Sequence, residues 1–141
     1  MALAKINLTV KSTVKNEDDP IHELISENAS GYMKYTAEEG VVHLAYKTAT
    51  ESGAVETRIE IYGRDVRLIR TGAIESNFLL SEGTEHFSVY KIPPFEFDLS
   101  VVARQIDNRL TIFGGTLTLS YEMCIGGAKK TCNMQLIAAP V

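Results

Sequence analysis

The sequence predicts an all-β protein: one antiparallel up-and-down β-barrel that spans residues 1–141. Three observations carry this reading. Apolar and polar residues alternate along most of the chain, and residues two apart in a strand share a face. Turn-forming clusters interrupt the alternation at intervals of about 8–12 residues and mark out roughly ten strand-like segments. No stretch shows a convincing amphipathic-helix period. Short sequential hairpins favour up-and-down order, and such a sheet resolves its edges best by closing on itself.

Leu3 to Val14 opens the series, with Ile6, Leu8 and Val10 facing in and Lys5, Asn7, Thr9 and Lys11 facing out. Asn16-Glu17-Asp18-Asp19-Pro20 is a charged turn. From Ile21 to Tyr35 the pattern is less regular. Ile21, Glu23, Ile25 and Glu27 share one face, a short helix over His22–Asn28 is an alternative, and Ala29-Ser30-Gly31 predicts a break or bend. Ala37-Glu38-Glu39-Gly40 turns the chain, after which Val42, Leu44 and Tyr46 face in and His43 and Lys47 face out. Beyond the turn at Thr50-Glu51-Ser52-Gly53, Val55, Thr57, Ile59 and Ile61 form the next inward row.

The central stretch is Arg64–Leu80. Val66, Leu68 and Arg70 form its first inward row, and Ile74, Ser76, Phe78 and Leu80 form the second, with Gly72 at the corner between them. Ser81-Glu82-Gly83-Thr84 turns into a strand from His86 to Ile92, which Pro93-Pro94 ends. Phe95, Phe97, Leu99 and Val101 then face in. Asp107-Asn108 reads as a turn before Leu110–Phe113, and Gly114-Gly115 opens the last hairpin. Its inward rows are Leu117, Leu119, Tyr121, Met123 and Ile125, then Cys132, Met134 and Leu136.

At 141 residues the chain can bury a core without disulfide or metal staples. The net charge of −4 disfavours nucleic acid and anionic membrane surfaces as partners. Met1–Lys5 leads straight into alternation with no apolar signal region, so a cytoplasmic location is expected. The cysteines Cys124 and Cys132 are expected to be free thiols. A four-residue turn at Gly126–Lys129 would set Met123 against Cys132 and leave the two thiols on opposite faces.

Several steps of this sequence resemble the YwiB-like family. They are Gly31-Tyr32, His43-Leu44-Ala45-Tyr46, Ile69-Arg70-Thr71-Gly72-Ala73, Tyr90-Lys91-Ile92-Pro93, Leu119-Ser120-Tyr121-Glu122-Met123 and Asn133-Met134. These are small bacterial proteins of unknown function, and the resemblance implies a lipocalin-like (calycin) barrel and no activity. Two departures stand out. An inward acidic position of the family falls on Thr48, which removes a carboxylate partner for Arg70, and a glycine turn after Tyr90 has become Pro94-Phe95.

The chemistry is sparse. His22, His43 and His86 stand apart in the sequence, no metal-ligand spacing occurs, and neither glycine pair sits in a phosphate-loop context. No metal or cofactor is predicted, and no catalytic residue. The informative residues are Arg70, Tyr46, Tyr121 and Phe78, all on inward rows. A guanidinium is always charged and needs acceptors. Arg70 either caps the core with its stem while its head stays wet, or meets a carboxylate or an anionic ligand; inward and paired, it would make Arg70→Ala cost more than Arg67→Ala. With the two phenols it would give an apolar pocket carrying a few polar groups. An eight-stranded barrel is just wide enough to be filled by side chains or to hold one small ligand.

Three functions follow. The first is a small cytoplasmic protein that binds an amphipathic ligand with its anionic or carbonyl end near Arg70. The second is a filled barrel that works through its surface, with a homodimer as one form. The third and weakest is an enzyme using Arg70 with Tyr46 or Tyr121, which a carboxylate or histidine beside Arg70 would favour.

Overall fold

The computed structural model describes residues 2–17, 22–36 and 40–141. Ten strands follow one another: β1 (Ala2–Asn16), β2 (His22–Thr36), β3 (Val41–Thr50), β4 (Gly53–Tyr62), β5 (Asp65–Gly72), β6 (Glu75–Leu80), β7 (Glu85–Ile92), β8 (Phe95–Thr111), β9 (Gly114–Ile125) and β10 (Ala128–Pro140). Each pairs antiparallel with its sequence neighbours, and β1 pairs with β10 to close the barrel. The predicted fold class is therefore the observed one. The strand number is ten, so the interior is wider than the eight-stranded one against which its filling was weighed.

Hairpin connections of two residues fix most of the registers. Thr50 pairs with Gly53, Tyr62 with Asp65, Ile92 with Phe95, Thr111 with Gly114 and Ile125 with Ala128. The Gly126-Gly127 turn carries positive φ at both positions, as the right-handed twist of a tight hairpin demands. It is shorter than the four-residue turn expected from sequence. Cys132 therefore faces Tyr121 rather than Met123, while the two thiols remain free and on opposite faces.

Three local expectations are corrected. Residues 22–28 are strand rather than helix, and β2 runs unbroken through Ala29-Ser30-Gly31. Gly31 is there for space: a Cβ at this position would stand 2.2 Å from the carbonyl oxygen of Ala45 on β3. Asp107-Asn108 lies inside β8, whose turn falls at Ile112-Phe113. Their turn chemistry is used locally: the Asn108 side chain accepts from the Leu110 amide, and Asp107 takes Arg109. A bulge between Ala103 and Gln105 shifts the inward set of β8 from Leu99, Val101 and Ala103 to Ile106 and Leu110. Finally, Phe95 and Phe97 sit on the predicted inward row yet are 64% and 39% exposed, because β8 begins beyond the packed interior. The turn expected over Asn16–Pro20 falls partly, at Asp18–Pro20, outside the described residues, as does Ala37–Glu39.

The alternation places the core. Ile6, Met33, Leu44, Ile61, Leu80 and Leu117 are among the fully buried side chains that fill one end of the barrel. Burying each such side chain contributes roughly 1.5–3 kcal/mol. Outward positions carry charge, for example Glu56, Arg58 and Glu60 on β4. No helix of the described residues is long and apolar enough to cross a membrane.

Gly31→Ala forces a methyl into the Ala45 carbonyl and should destabilise the barrel by about 2 kcal/mol or more. Gly63→Ala meets open space and should lose only the positive-φ penalty, about 1 kcal/mol. Urea denaturation of the two variants checks the contrast; equal losses would show that β2 and β3 can separate at this point.

Candidate functional site

The two ends of the barrel differ. Around the end that bears the turns at 51–52, 93–94 and 126–127, the interior holds a cavity of about 310 Å³. Its lining includes Arg70, Tyr46, Tyr121, Tyr90, Glu27 and Lys130. The interior is thus packed at one end and hollow at the other.

One inward row explains the polar wall of this cavity. Tyr46 of β3 pairs with Thr57 of β4, Thr57 with Arg70 of β5, Arg70 with Ser76 of β6, and Ser76 with Tyr90 of β7. Directly opposed residues share a face with their Cβ atoms about 4.5–5.5 Å apart. The five positions therefore form one polar hoop across half the barrel, of which Tyr46, Thr57, Arg70 and Tyr90 line the cavity while Ser76 borders the groove outside. Thr57 and Ser76 are the buried polar residues among those described, at 2% and 5% exposure. The facing wall is softer, with Val10, Met123, Met134 and Cys132.

Arg70 is half-buried. It lines the cavity with Glu27, but among the described residues no ion pair within 4.0 Å holds it. The alternation thus had Arg70 on the correct face, while no ion pair among the described residues supplies the partner that would make Arg70→Ala costly. Thr48 lines the same cavity, and the neighbouring strand β2 brings a carboxylate to it as Glu27.

Three groups of the site, Tyr46, Tyr121 and Cys132, are held protonated. Burial pushes the Tyr46 phenol up; the Arg70 charge and a hydrogen bond from Thr57 oppose the shift, and Glu27 adds to it. Tyr121 lies far above the ordinary phenol range, first through burial and then through Cys132, to which its hydroxyl donates. Burial likewise raises the Cys132 thiol against the opposing pull of Tyr121, Lys130 and Arg70.

Of the four residues singled out from sequence, Arg70, Tyr46 and Tyr121 come together around the cavity. Phe78 does not line it. It is buried in the packed core, where its ring stands 6.1 Å from that of Tyr121 in a tilted contact. Thr57 and Ser76 were on predicted inward rows, and Tyr90 and Glu27 were also missed as site residues. His43 and His86 lie elsewhere: His43 approaches Glu60 at 3.6 Å with its ring edge-on to Tyr62, and His86 contacts the Ser81 hydroxyl. The side chain of His22 lies outside the described residues.

Two depressions mark the outside. One of about 530 Å³ runs over the outer face of β8–β10 and mixes Lys15, Glu17, Glu85, Glu122 and Lys129, a solvated surface with both charge signs. The other, of about 370 Å³, follows the join between β6 and β7.

A closed ten-stranded barrel with one packed end and one hollow, polar-walled end defines a β-barrel protein with an internal pocket. The chain belongs to the family described as Domain of unknown function (DUF1934), whose model matches residues 8–136. It is 28% identical over 125 residues to the uncharacterized beta-barrel protein YwiB of Bacillus subtilis (strain 168), covering 89% of this chain and 85% of that one. The crystal structure of the ywiB protein from Bacillus subtilis matches with a TM-score of 0.87 at 24% identity, covering 99% of this chain and 93% of the other, which shows a shared fold. The YwiB-like resemblance read from the motifs is met.

The protonated phenols and thiol have a consequence at high pH. Their folded-state pKa values lie above the ordinary 10.0 and 9.0, so the unfolded chain loses these protons first as pH rises. Their contribution to stability is complete below about pH 9 and declines above it. Denaturant midpoints measured from neutral to alkaline pH should fall in that window, and a Tyr121→Phe, Cys132→Ala double variant should fall less steeply.

Proposed function

We propose that this protein is a cytoplasmic binding protein that holds a small amphipathic ligand in the hollow end of its barrel, with the ligand's anionic or carbonyl end at Arg70. The observation that carries this reading is a charged guanidinium on the wall of an internal cavity with no ion pair among the described residues. A half-buried cation that no ion pair holds is unfavourable unless water or an incoming group satisfies it. The cavity lies at the small end of the range that ligand pockets occupy, roughly 300–1,000 Å³. The combination of a polar hoop and an apolar opposite wall suits a molecule with one polar and one apolar side. Free thiols on opposite faces fit a reducing compartment.

Glu27 brings a carboxylate to the cavity of Arg70 without forming an ion pair with it, and binding is still favoured over catalysis. Tyr46, Tyr121 and Cys132 are all pushed toward their protonated forms, so none is poised as a base or nucleophile near neutral pH. A barrel filled with side chains and acting only through its surface is less well supported, because this half is hollow.

Calorimetric titration with octanoate and with octylamine tests the proposal. Octanoate should bind, octylamine should bind far more weakly, and Arg70→Gln should lose about tenfold or more in octanoate affinity. A hydrogen bond to a charged group contributes about 1.5–3 kcal/mol, and tenfold is about 1.4. Equal binding of the two amphiphiles, or an unaffected Arg70→Gln variant, would contradict it.

A further inference from the structure

The join between β6 and β7 is unlike the others. These strands share only two residue pairs in register, Glu75 with Lys91 and Ser76 with Tyr90. Past that point the Ser88 hydroxyl donates to the Asn77 carbonyl at 2.5 Å, a side chain standing where a ladder bond would otherwise be. The outer groove follows this split, and Arg70 and Ser76 border it, while Arg70 also lines the internal cavity. Arg70 therefore stands between the outer groove and the internal cavity.

Ser76 is where the polar hoop is incomplete. Its Oγ is fully buried and has no hydrogen-bond partner among the described residues. Thr57, two strands away in the same hoop, is bonded to Tyr46. Buried hydroxyls ordinarily find a partner. Both cross-strand neighbours of Ser76, Arg70 and Tyr90, carry hydrogen-bond donors and face the cavity. Arg70 can only donate, and the Tyr90 hydroxyl, which can also accept, makes no hydrogen bond to Ser76.

We propose that Arg70 and Ser76 form an oxyanion subsite at the β6–β7 join that takes the carboxylate of a monoanionic ligand. The assignment rests on the binding reading above and deepens it. A carboxylate offers two oxygens, one to the guanidinium fork and one to the serine hydroxyl. Among the described residues of the lining, Arg70 and Lys130 against Glu27 leave one positive charge in excess, which fits a single negative charge. A phosphate monoester, closer to a dianion, would bring a second charge toward Glu27.

The experiment combines titrations of octanoate and octyl phosphate with thermal melts of the ligand-free proteins, for wild type, Ser76→Ala and Ser88→Ala. Ser76→Ala should bind octanoate about tenfold more weakly. Its ligand-free melting temperature should be equal to or above that of wild type, because the hydroxyl has no protein partner to lose. Ser88→Ala should melt lower and bind octanoate as wild type does. Wild type should prefer octanoate to octyl phosphate. If Ser76→Ala binds octanoate normally, or melts clearly lower, the subsite is overturned while the cavity reading stands. Tighter binding of octyl phosphate would overturn the carboxylate assignment. Absence of octanoate binding to wild type would overturn both readings.

Discussion

Closure of the sheet at β1 is the constraint on which the rest of this structure depends. β1 is held to β2 through fourteen residue pairs and to β10 through eleven. With both its flanks satisfied, the sheet has no edge to protect, and every strand is forced to turn one face to a common axis. Because side chains alternate strictly, that single requirement separates the Ile, Leu and Val rows from the Lys, Glu and Arg rows along the chain. Local departures are absorbed without breaking the ring. The bulge in β8 resets its inward row, and the Glu82 side chain and the Gly83 amide reach across from the β6–β7 connection to bond Ile106 and Ala103 beside it.

Ten strands make a ring too wide for side chains to fill uniformly. At one end, large aliphatic residues from opposite walls meet and exclude water. At the other, the inward positions carry tyrosines, threonine, serine and one arginine, and an interior cavity remains. These polar residues are a poor choice for stability alone, since apolar side chains at the same positions would give up no hydration. Their placement on five successive strands at one level makes them a surface, with donors aimed across a confined space. The sparsely paired β6–β7 join lies in the same arc. The least tightly laddered part of the wall and the least satisfied part of the interior therefore coincide at Ser76.

Much of this was legible in the sequence, for identifiable reasons. Alternation placed Arg70, Tyr46 and Tyr121 inward because a period-two pattern leaves no ambiguity once a strand has one charged face. Even part of the hoop was within reach: two-residue turns at Glu51-Ser52 and Gly63-Arg64 fix Tyr46 opposite Thr57 and Thr57 opposite Arg70. The height of each residue along the axis was not legible. Phe78 shares a row with Ser76, yet one lies in the core and the other stands level with the polar wall of the cavity, because strand stagger decides the level and no local signal encodes it. Glu27 was on a face already assigned, but its sharing a cavity with Arg70 depends on the strands curving round. Gly31 looked like a break because glycine in a strand has two uses, bending and close approach, and only the neighbouring Ala45 carbonyl distinguishes them.

The central claim is that the hollow end is a binding site. Native mass spectrometry of the protein purified gently from its own cells, set against its denatured mass, tests this most directly. The account predicts a reproducible extra mass below about a kilodalton, within the scale of molecules such pockets hold, absent from an Arg70→Gln variant prepared in the same way. A bare monomer mass from every preparation, or an adduct retained unchanged in the variant, would contradict it.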